Sequence, residues 1–147
     1  MKKDTRLYNV IFPFWMLMLF PQVWLIVLPG NFIIDSIVLI AALYFLKIQD
    51  KKQWYKRYIL KAFLFGMLSD IIGGAYMLLL VVLGAARMGD EPYLTIPALI
   101  LTALLIFVFD YFFTFRKVNK KIRLKLSFVF AIVTAPYTFL IPTSWMY

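Results

Sequence analysis

Apolar runs long enough to cross lipid alternate along this chain with short segments that hold nearly all of its cations. A helix rises ~1.5 Å per residue, so about 20 apolar residues span a hydrocarbon core of ~30 Å. Within that core every backbone N–H and C=O needs an internal partner, which leaves helices or a closed β-barrel. The strict apolar–polar alternation of barrel strands is absent. Of 147 residues, 64% are hydrophobic and 16% charged, against about 25% charged in a soluble domain. The expected class is therefore all-α, a polytopic membrane protein.

Five spans are expected in a single integral membrane domain, over about residues 7–28, 31–47, 58–86, 93–115 and 126–141. Pro13 and Pro21 predict a kink in the first. A cleaved signal peptide is the competing reading of that run, but it is long for one and no small-x-small site ends it. Pro29-Gly30 reads as a tight turn that folds the first two spans into an antiparallel hairpin, either fully crossing or re-entrant. Gly73-Gly74 offers a bend in the third span.

Charge predicts the orientation. Lys2, Lys3 and Arg6 precede the first span, Lys47, Lys51, Lys52, Lys56, Arg57 and Lys61 surround the second connection, and Arg116, Lys117, Lys120, Lys121, Arg123 and Lys125 surround the fourth. With the amino terminus in the cytoplasm, fifteen cations lie inside and Arg87 alone outside, beside Asp90 and Glu91. The positive-inside rule favours that arrangement, with the carboxyl terminus outside and anionic headgroups as partners of the basic segments. The net charge of +9 thus needs no nucleic acid, and no soluble domain is present to bind one. Lysine exceeds arginine eleven to five beside many isoleucines and phenylalanines, which points to a bacterial cytoplasmic membrane.

The chain contains no cysteine and no histidine. Thiolate nucleophiles, haem ligation, and histidine-based zinc sites or acid–base catalysis are removed, and no cofactor or metal is expected.

Three aspartates interrupt the apolar runs: Asp35, Asp70 and Asp110. An ionisable group at bilayer depth costs roughly 2.5–3.5 kcal/mol on insertion scales and usually faces a partner or a wet cavity. On the third span, Gly66, Ser69, Asp70, Gly73 and Met77 recur at helical spacing on one face suited to close helix packing. Thr95, Thr102 and Asp110 share a side of the fourth span, and Ser127, Thr134 and Thr138 share one of the last. Hydroxyls in lipid commonly bond their own helix carbonyls, so these stripes also fit plain packing. Asn31 and Asp35 are one turn apart near the expected outer boundary, where Asp35 also fits a helix-start carboxylate. Lys61 is expected at the depth of Asp110 and within reach of an ion pair with it. The three carboxyls together form a ladder, with Asp35 outermost, Asp70 central and Asp110 innermost.

Three functions follow, in order of support. The first is a non-enzymatic subunit or accessory component of a larger membrane assembly, of transport, envelope or immunity type, in contact with other chains or copies of itself. The second is a small oligomeric transporter or channel in which Asp70 responds to a proton or cation. The third, remote, is an intramembrane aspartyl enzyme, which requires two carboxyls close enough to share a proton.

Overall fold

A computed structural model describes residues 20–84 and 92–137. These residues form four helices, α1 (Pro21–Phe45), α2 (Lys51–Val82), α3 (Pro92–Phe109) and α4 (Lys120–Val133), with a π-helical turn, Asp110–Thr114, continuing α3. Each helix packs on the next, and α4 closes back on α1. α1, α2 and the stretch Thr95–Thr114 are each long and apolar enough to cross a membrane. Their outward residues are large and apolar, among them Leu25, Ile26, Phe45, Leu60 and Ile100. Such a surface suits lipid, because one that faced water would expose far more apolar area than monomeric soluble proteins tolerate.

Pro29 and Gly30 do not form a turn. Both lie inside α1, which continues through them for 25 residues, about 37 Å. The expected hairpin between the first two spans is therefore corrected to one continuous helix over the described residues, and residues 7–19 lie outside them. Proline removes only the N–H that would bond the Leu25 carbonyl; Pro29 is exposed and Gly30 half-buried. A turn would leave more backbone groups unpaired, so in lipid the helix is the cheaper solution. Pro21 meanwhile occupies the first helical position, where its missing N–H costs nothing.

Helix ends account for the other shifts in boundary. α1 stops in a Schellman arrangement: Lys47 N–H donates to the Tyr44 carbonyl and Ile48 N–H to that of Leu43, at 3.1 Å each. Lys47 takes the left-handed conformation with φ 52°, and Ile48 turns into the core. α2 begins directly after Asp50, so the basic stretch around 51–57, expected as a loop, forms its first two turns. Gly84, at φ 69°, ends it. α2 also runs unbroken through Gly73-Gly74. α4 starts at Lys120 rather than near Leu126, because the Asn119 side chain caps it by accepting from Lys121 N–H. The chain leaves α4 at Thr134, two residues before Pro136, so the helix does not extend to the expected end near 141.

A core of aliphatic and aromatic side chains fills the half of the bundle next to the two basic turns. Tyr58, Phe115 and Phe130 link α2, the end of α3 and α4, with ring centroids 5.4 and 5.9 Å apart. The segments 46–57 and 115–123 lie at one common end, since Trp54, Lys56 and Arg57 share a cleft with Lys117 and Asn119. The polar site occupies the other half.

Candidate functional site: a carboxyl-lined cavity

Asn31 and Asp35 are one turn apart on α1 and point the same way, toward α2. Asn31 Nδ2 donates to Met67 Sδ at 3.2 Å and to Asp70 Oδ2 at 3.5 Å. One turn along, a β-carbon placed on Gly66 would stand 3.7 Å from Asp35 Oδ2, so the glycine leaves the carboxyl room. A cavity of about 310 Å³ opens among these groups, between α1, α2 and the end of α4. Asn31, Asp35, Gly66, Met67, Asp70, Thr134 and Tyr137 line it together with apolar side chains. No lysine or arginine is among its described lining residues. Asp35 and Asp70 are 6% and 7% exposed, and Asp70 Oδ1 has no hydrogen-bond partner among the described residues.

These contacts overturn the expected depth ladder. Asp35 is the fifteenth residue of α1, mid-helix, so the helix-start reading fails as well. It is level with Gly66, and Asp70 is only four residues, about 6 Å, farther along α2. Asp110 joins the same layer, because its helical neighbours Phe109 and Phe113 both stack on Phe65 at 5.5 Å. A turn at Pro29-Gly30 would start a new helix at Asn31 and carry Asp35 to the membrane edge, whereas the continuous α1 keeps it mid-helix.

Asp110 does not line the cavity. It opens the π-helical turn, in which Phe115 N–H reaches back five residues to the Asp110 carbonyl at 2.8 Å. It is 1% exposed, and both carboxyl oxygens and the Thr114 hydroxyl lack hydrogen-bond partners among the described residues. Lys61 is exposed on the outside of α2, so the expected Asp110–Lys61 ion pair is not formed.

The hydroxyl stripes separate into two behaviours. Ser69, Thr102 and Thr134 donate to the carbonyls of Phe65, Ala98 and Phe130, four residues back in each case, as the packing reading expects. Ser69 and Thr102 are fully buried by helix contacts and stay out of the cavity, whereas Thr134 faces it. Ser127 is fully buried, and its hydroxyl has no partner among the described residues. Thr95 is also buried, and Thr138 lies outside the described residues. Of the glycines expected to aid packing, Gly66 faces Asp35, Gly73 and Gly74 are buried, and Gly74 has no neighbour within 4 Å of its would-be β-carbon.

Met67, which accepts from Asn31, is a cavity residue that periodicity does not single out. Its signal is the heptad from Met67 to Gly74 one position off the Gly66–Gly73 row, which widens the face that α2 turns toward α1. Two carboxyl groups on one largely apolar cavity, with no basic side chain among the described lining residues, either hold protons or share a bound cation. The oxygen-bearing groups of the described lining are two carboxyls, an amide and the hydroxyls of Thr134 and Tyr137, which match hard cations better than soft metals. Among the described residues no group of three or more acidic, histidine or cysteine side chains gathers as a metal centre. Compared with known families, curated proteins and solved structures, the chain matches none.

Proposed function

We propose that this chain is a non-enzymatic multi-pass protein of the cytoplasmic membrane, bacterial by its lysine-rich composition, that takes up a proton or a small monovalent cation between Asp35 and Asp70. The basic segments 46–57 and 115–125 face the cytoplasm under the positive-inside rule, and the cavity then lies in the outer half of the bundle. The observation that carries the reading is the pairing of two nearly buried aspartates on one cavity that no basic side chain among the described residues lines. A packing role for Asp70 would instead give it a dry hydrogen bond to a neighbouring hydroxyl, and its contact is a long one to an amide. The four described helices offer no second half for alternating access, so transport would use an oligomer or a partner subunit of a larger assembly.

Proteoliposomes test the reading. Protons are followed with an internal pH dye, and sodium and rubidium with radiotracers. Wild-type protein is expected to move at least one of these ions, and Asp70→Asn and Asp35→Asn to abolish the movement. Unchanged flux in correctly folded Asp70→Asn protein would remove the proposal.

The shared cavity also favours a second reading, the intramembrane aspartyl enzyme, which the expected distance between Asp35 and Asp70 had argued against. Such a dyad holds its carboxyls close enough to share a proton. No hydrogen bond among the described residues joins Asp35 to Asp70, which favours a cation between them. Cleavage of membrane-embedded peptides by wild type and not by Asp35→Asn would reverse that preference.

A further inference from the structure

The half of the bundle opposite the aspartates holds a second cavity, of about 630 Å³, between the first two turns of α2 and the turn joining α3 to α4. Gln53, Lys56 and Arg57 sit at steps of three and four on α2 and so share a face. Lys117 and Asn119 come from the opposite wall. No carboxylate is among the described lining residues. Three cations therefore converge from two helical hairpins with no counter-charge among the described lining residues. The five polar side chains are exposed around the rim of the cleft, where a ligand can reach them.

The wall formed by the turn between α3 and α4 is held in place. Val118 N–H donates to the Phe115 carbonyl at 3.0 Å, and Arg123 Nη1 donates to the Arg116 carbonyl at 3.3 Å. The floor is apolar and aromatic: Trp54 packs on Tyr58 at 5.3 Å, Tyr58 continues onto Phe115, and Val118 and Ile122 complete the lining. A cationic rim over an aromatic floor fits a ligand that is anionic at one end and apolar at the other.

We infer that this cleft binds a phosphate group, with Lys56, Arg57 and Lys117 as its cationic contacts and the Gln53 and Asn119 amides as further donors. Arginine presents a planar fork of donors to phosphate, and lysine acts as a mobile point charge. The phosphate comes either from an anionic phospholipid whose glycerol and upper acyl chains rest against Trp54 and Ile122, or from a free phosphate. This site does not depend on the cation proposal, and its test does not read ion flux.

The experiment compares two triple variants that remove equal charge. In one, Lys56, Arg57 and Lys117 are each replaced by Gln. In the other, Lys47, Lys52 and Lys125, none of which lines the cleft, are each replaced by Gln. Protein purified with phosphatidylglycerol is examined by native mass spectrometry for retained lipid, and delipidated protein is titrated calorimetrically with inorganic phosphate. The cleft triple is expected to lose at least tenfold in phosphate-ligand affinity and the control less than twofold. Lys117→Gln alone, an exposed change in a turn, is expected to lose about threefold, so the inference stays testable if the triple misfolds. Retained lipid that 10 mM phosphate does not displace identifies a headgroup, and binding of phosphate itself to delipidated protein identifies a soluble source. Equal losses in the two triples, or no loss in Lys117→Gln, would overturn the inference.

Discussion

Replacing Asp70 by Asn separates electrostatics from packing at the cavity. The amide is nearly isosteric with the carboxyl, so the neighbours of a side chain that is 7% exposed need not move. Its one polar contact, from Asn31 Nδ2, is 3.5 Å long, and losing such a bond costs at most about 1 kcal/mol. The charge removed matters far more to a bound cation. At ~4 Å and an effective dielectric of ~20, one carboxylate and one monovalent cation attract by about 4 kcal/mol, close to a thousandfold in affinity. Asp70→Asn is therefore expected to weaken cation binding by two to three orders of magnitude while leaving the melting temperature in detergent within a few degrees. Calorimetric titration with sodium and potassium, run beside a tryptophan-fluorescence melt, reads both quantities. If binding stays within threefold of wild type, the cavity does not work through Asp70. If the protein unfolds instead, Asp70 is a structural group and the cation argument fails from the other side.

Other expectations test the frame around the site. Phe115→Ala empties a position that touches Tyr58 and Phe130 and is fully buried, and is expected to destabilise the bundle by about 3–5 kcal/mol in chemical or thermal unfolding. Pro29→Ala restores a donor for the Leu25 carbonyl within α1, and a gain of about 1–3 kcal/mol is expected; a loss would favour a turn at Pro29-Gly30. Arg123→Ala removes a guanidinium held 4.3 Å over the Tyr111 ring, with an expected cost of about 0.5–1 kcal/mol that Arg123→Lys recovers only in part. The chain has no cysteine, so single cysteines at positions 52 and 120 can be labelled cleanly. Both are expected to react from the cytoplasmic side of sealed vesicles, and labelling from opposite faces would dismantle the orientation.

Much of the architecture is a local or transfer property, and such properties are legible residue by residue. Lys51–Val82 and Thr95–Thr114 are helical and lipid-compatible because of what each segment contains, whatever it packs against. The gathering of cations between those segments is likewise a one-dimensional pattern, and the two basic turns do meet at one end. Asn31 and Asp35 were legible as a pair because helical spacing alone places them on one face.

Where that pair points was not legible. It depends on whether the chain turns or continues at Pro29-Gly30, and the local signal for a turn there is strong in water but loses in lipid to the demand for backbone hydrogen bonds. The same difference decides the partner of Asp110: a helical wheel predicts a face but not the rotation that sends Lys61 outward and leaves the carboxyl buried in the π-helical turn. Composition and spacing alone determined an apolar helical chain with its cations massed in two turns and three aspartates in its spans. Only the tertiary structure decided that Asp35 and Asp70 share a cavity while Asp110 stays out of it. Side-chain convergence depends on how helices slide and rotate against one another, and that is set by packing between segments far apart in the chain.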